Sequence, residues 1–63
     1  MITLQQAIEL NSVVKVHAIS GEFYEGVCTD DTQEVSKFNI LTESQIITLP
    51  RWAVKRIWRH ISK

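Results

Sequence analysis

The side chains able to do chemistry are few, and most stand alone. Cys28 is the single cysteine, so no intrachain disulfide can form. A nucleophilic pair of Cys28 with His17 would need a third group to orient the base, and no residue is spaced to supply it. Cys28 therefore reads as a small core residue. His17 and His60 lie far apart and outside any zinc-ligand spacing. Asp30 and Asp31 are adjacent but lack the further spaced carboxylates of a calcium loop, so they read as turn-capping groups in a polar run. No metal, no cofactor and no catalytic residue are expected. Recognition chemistry remains. Asn39 offers an amide, Lys37 a point charge, and Arg51 a planar guanidinium that can stack on a base or grip a phosphate.

The charge is balanced overall and uneven along the chain. Seven acidic residues offset seven basic ones, which argues against a non-specific phosphate binder. Every acidic residue precedes position 44, whereas Arg51, Lys55, Arg56, Arg59 and Lys63 crowd the end with Trp52 and Trp58. A basic, aromatic segment on an acidic body can bind an anion or the acidic face of another copy. There is no signal peptide and no apolar run long enough to span a membrane, so a soluble cytoplasmic protein is expected.

The elements that must position these groups follow from pattern. Thr3 and Gln6 have capping-box spacing, and Leu4, Ala7 and Ile8 make an apolar stripe, predicting a helix over about 3–10. The polar face of that helix, Gln5, Gln6 and Glu9, is expected to be solvated. Val14, Val16 and Ala18 alternate as in a half-buried strand. Ser20-Gly21 breaks that strand, and a second begins at Phe23 with Tyr24, Gly26 and Cys28 on one face. An interior glycine marks a bend or a close backbone approach, so Gly26 predicts a sharply curved strand. Further strands are expected over 37–43, 45–49 and 54–58, with Pro50 ending the fourth and residues 60–63 trailing off. The fold class is all-β with one short N-terminal helix: a small, five-stranded, strongly bent antiparallel barrel over about 13–59, in one domain spanning 1–63.

In that order the pieces resemble the Sm-like (LSm) family, over residues 4–57. A helix, Val-x-Val, Gly21 and Gly26 look like the first Sm motif, and Asn39-Ile40-Leu41 like its close. Residues 47–54 look like the second motif, with an apolar strand, a basic residue in the turn, then Ala53 and Val54. The chain departs from the family in three places. The acidic residues nearest Asn39 on its N-terminal side that match the motif's Asp are Asp30 and Asp31, further upstream than usual; Lys37 takes the base-stacking position; and Arg51-Trp52 replaces the usual basic pair. Phe38 falls at a core position.

The resemblance implies an SH3-like barrel that assembles as a homo-oligomeric ring, strand four of one subunit pairing with strand five of the next. It also implies single-stranded RNA held at the pore by Asn39, Arg51 and Lys37. A ring of roughly five to seven copies is expected, since a heterologous contact that closes makes a ring. Ile46, Leu49, Val54 and Ile57 offer apolar area to the subunit interface, and Trp52, a large ring on a turn, is expected there too. Sixty-three residues bury a thin core, so oligomerisation is the expected staple. The competing expectation is an Sm-fold ring serving only as a protein-interaction module, with RNA binding lost.

Overall fold

The computed structural model describes residues 1–59. The elements run α1 (Leu4–Leu10), β1 (Val13–Ala18), β2 (Phe23–Asp30), β3 (Lys37–Leu41), β4 (Ile46–Pro50), a 3-10 turn (Arg51–Ala53) and β5 (Val54–Arg59). The trailing segment 60–63 and the basic Lys63 lie outside the described residues.

The capping box at Thr3 forms as the spacing predicts. The Gln6 amide donates to Thr3 Oγ1 at 3.1 Å, and Gln6 Oε1 accepts from the Thr3 amide at 3.0 Å. Asn11 ends the helix in the left-handed region, φ 53°, which asparagine tolerates because its side chain bonds locally. Ala7 is fully buried on the sheet, with Leu4 and Ile8 packed beside it.

All five strands form one antiparallel sheet in the order β4-β3-β2-β1-β5. The sheet does not close on itself. β4 and β5 are its two edges, linked by the 3-10 turn, where the barrel expectation has a closed surface. Alternation sorts the side chains cleanly. Val14, Val16, Ala18, Cys28, Phe38, Ile40 and Ile57 face the core with Ala7. Phe38 is core, as its position predicts.

Gly26 accounts for the bend. A Cβ there would overlap the Leu41 carbonyl oxygen, standing 2.8 Å from the carbonyl carbon and 2.9 Å from Ile40 Cγ2. The backbone of β3 crosses β2 so closely that only a hydrogen fits. Gly21 serves a different need: it takes φ 98° in open space, and its amide donates to the Ala18 carbonyl at 3.0 Å to close the β1–β2 turn.

Ile57 corrects one expectation. It is wholly buried inside its own chain, so its side chain cannot supply area to a neighbouring subunit. It sits opposite Val16 in the β1–β5 ladder, which turns it inward. Leu49 and Val54 are half-buried against the same core, whereas Ile46 and Trp52 are exposed, Trp52 by 73%.

Candidate nucleic-acid interface

The β3–β4 ladder gathers the predicted recognition residues. Lys37 lies opposite Pro50 and Asn39 opposite Thr48, and Arg51 follows Pro50 directly. Lys37 and Asn39 share the outer face of β3 because Phe38 and Ile40 occupy the inner one. The ladder thus brings the Arg51 backbone to the Lys37 end of β3, although 14 positions separate the two in the chain; Asn39 lies at the middle of the strand, and the Arg51 side chain turns to Asp30 and the 31–36 loop.

Each is held differently. Thr48 donates its hydroxyl to Asn39 Oδ1 at 2.7 Å, which fixes the amide and turns its carbonyl toward β4. Lys37 is exposed, and its backbone amide closes the preceding loop on the Glu34 carbonyl at 3.2 Å. Arg51 is the most engaged of the three. Its Nη2 donates to Asp30 Oδ1 at 2.5 Å, its Nε to the Val35 carbonyl at 2.8 Å, and its amide to the Ser36 carbonyl at 2.8 Å. One residue therefore ties the 31–36 loop to the end of β2. Asp31 shapes the same loop by accepting from the Gln33 amide at 2.9 Å, the turn-capping role expected of the acidic pair.

Arg51 also lines a shallow cleft of about 310 Å³ with Lys55, Arg56 and the first four residues. No carboxylate lines that cleft. Lys37 and Asn39 do not line this cleft; Arg51 is the one of the three candidate residues that does.

Cys28 and His17 lie on opposite faces of the sheet, so no nucleophile–base pair exists between them. Burial pushes the Cys28 thiol up to about 11, leaving it protonated and inert at neutral pH. Tyr24 donates its hydroxyl to Glu22 Oε1 at 2.5 Å, and this bond to a carboxylate raises the phenol above its ordinary value. Among the described residues no three His, Cys, Asp or Glu side chains could hold a metal ion. No helix among them is long and apolar enough to cross a membrane.

A second cluster escapes a strand-by-strand reading. His17 stacks on Phe23 with ring centroids 4.2 Å apart and planes 12° apart, and Trp58 lies 6.2 Å from His17. Lys15 Nζ sits 5.1 Å from the Phe23 centroid. The hairpin at Gly21 alone brings His17 opposite Phe23; Trp58 joins only because β5 pairs with β1. The signal in the sequence is the polar half of the β1 alternation, Lys15 and His17, taken with a β5 that carries Trp58 at the same parity.

No protein-family model, curated protein or solved structure matches the chain.

Proposed function

We propose that this chain is an Sm-like, ring-forming protein that binds single-stranded RNA, a binding module rather than a catalyst. The observation that carries the reading is the pair Lys37 and Asn39 on the outer face of β3, with Arg51 in the turn that follows Pro50, the residue opposite Lys37. An amide and an ammonium on one strand face, with a guanidinium in the adjoining turn, suit the free edges, faces and phosphates of unpaired nucleotides. The two sheet edges support the ring. β4 and β5 are the strands a cyclic Sm-like assembly would pair between neighbours, and unpaired edges must be covered, charged or matched. A ring repeats each weak contact once per subunit, so modest single sites act together.

A protein-interaction module without RNA binding is the second reading. It is favoured by the zero net charge and by Arg51 already serving Asp30 and the Val35 carbonyl. Titrating labelled oligo-U and oligo-A while measuring particle mass separates the two. RNA binding by a closed oligomer supports the first; closed oligomers that ignore both oligonucleotides at physiological salt support the second.

A further inference from the structure

The two edges of the sheet are not alike. Among the described residues, no backbone bond covers the outer side of β4. β5 is guarded. Its register with β1 passes from His17–Arg56 to Ala18–Val54, which leaves Lys55 as an extra residue. A bulge of this kind twists an edge strand away from further pairing. Lys55 and Arg56 are both exposed on this strand, and charge on an edge discourages a stray neighbour.

A further guard lies at Ile57. The Ala18 amide donates to the Glu22 carbonyl at 2.8 Å, so Ala18 turns its backbone to the β2 side. The next residue turns the other way, and the Ile19 amide donates to the Ala53 carbonyl at 2.8 Å. The same alternation turns Val16 toward β2, and Ile57, its opposite residue, away from β1. The Ile57 side chain is buried in the core, yet its carbonyl points off the edge of the sheet. Ile2 meets it there: the Ile2 amide donates to the Ile57 carbonyl at 2.9 Å. The segment before α1 therefore lies along the outer side of β5 and fills one rung that a neighbouring strand would use.

The hold is slight. Among the described residues, this is the one backbone bond between residues 1–3 and β5. A cleft of about 310 Å³ opens between them, with Met1, Ile2 and Thr3 on one side and Val54, Lys55 and Arg56 on the other. Met1 is exposed, and Thr3 is committed to Gln6 in the capping box. The segment can leave β5 without unwinding α1.

We propose that residues 1–3 are a strap that gates edge pairing: β5 accepts the β4 edge of a second copy only after the Ile2 amide releases Ile57. The inference rests on the ring reading above and adds a control to it. In the single chain the strap blunts an edge that would otherwise invite any strand. On assembly the Ile57 carbonyl exchanges the Ile2 donor for an amide of the neighbour's β4, so it is not left buried and unpaired. One edge stays open and the other is strapped, which holds assembly to copies that can displace the strap.

Two variants and one exchange measurement test it. Ile2→Pro removes the donor, since proline has no N–H. Ile2→Ala keeps the donor and shortens the side chain that packs on the core. Circular dichroism checks that both fold, and particle mass is measured by sedimentation across nanomolar to micromolar concentrations. Hydrogen exchange at the Ile2 amide is followed by NMR in the wild-type oligomer, so this arm decides even where Ile2→Pro does not fold. Ile2→Pro should assemble at about fivefold lower concentration than Ile2→Ala, the scale of one backbone hydrogen bond. The Ile2 amide of the oligomer should exchange as an exposed amide does. Assembly of Ile2→Pro no more readily than Ile2→Ala would overturn the strap and leave the ring standing. So would an Ile2 amide that stays protected in the oligomer. Particles of a single chain's mass for every variant at every concentration would remove the ring reading, and the gate with it.

Discussion

Arg51 and Asp30 form a charge-assisted bond at 2.5 Å across 21 positions of sequence. The pair is partly solvated, with Arg51 33% and Asp30 61% exposed, so solvent screens it. Its consequence is mainly geometric: the guanidinium is held over the end of β2 while its Nε pins the loop at Val35.

Releasing that guanidinium should cost little stability and change binding. Asp30→Asn is expected to alter folding stability by about 0–1 kcal/mol, the range of exposed ion pairs. It should tighten oligonucleotide binding, because phosphate no longer competes with a carboxylate for Arg51. Denaturant melts and fluorescence titration check both. Weaker binding in Asp30→Asn would show that the pair orients Arg51 for RNA instead of occupying it.

Gly26 and Gly21 should respond unequally to a side chain. Gly26→Ala pushes a Cβ into the Leu41 carbonyl, a backbone group that cannot swing away, and overpacking of this kind costs about 1–3 kcal/mol or more. Gly21→Asn meets open space and only the cost of a positive φ, about 1 kcal/mol or less for a residue that tolerates that region. Thermal melts of the two variants should therefore differ by several degrees; equal, small shifts would contradict the close approach.

Ile57 should behave as a core residue. Ile57→Ala is expected to cost about 2–5 kcal/mol, the range for deleting a buried aliphatic side chain. In a domain this small that is a large part of the total. The loss should appear as unfolding at every protein concentration. A variant that stays folded while its oligomers dissociate would return Ile57 to the interface.

Cys28 predicts a pH dependence. Its folded-state value of about 11 lies above the ordinary thiol value, so the native state holds the proton more tightly than the unfolded chain. The stability this contributes is fully present below the ordinary thiol value and is lost as pH rises through about 11. The stability difference between wild type and Cys28→Ala should shrink over that window, because the other titrating groups cancel in the comparison. A constant difference would mean that the thiol ionises as freely when folded as when unfolded.

Much of this was legible because it is local. Thr3 with Gln6, the Val14–Val16–Ala18 alternation and the Gly21 turn are each decided within a few residues. Gly26 was legible as a close approach, although Leu41 as the group that approaches it was not, since that depends on the β2–β3 register. Three features depend on long-range pairing, which periodicity does not encode. Asp30 as the partner of Arg51 requires both the β2 end and the 3-10 turn to meet the 31–36 loop. Trp58 joins His17 only through β5 pairing with β1, and the same pairing turns Ile57 inward where an edge position was expected. Trp52 was expected to seek cover, and within the single chain it stays 73% exposed.

The most direct test of the account is a titration of labelled single-stranded RNA against wild type, Arg51→Ala and Asn39→Ala, with particle mass measured in parallel. The account predicts a closed oligomer that binds RNA at physiological salt. Arg51→Ala should weaken binding by about 1–3 kcal/mol per site, the scale of one lost stacking contact, with the oligomer intact. Asn39→Ala should weaken binding while leaving its salt dependence nearly unchanged, since it removes no charge. An intact wild-type oligomer with no affinity for RNA, or variants that bind as well as wild type, would contradict it.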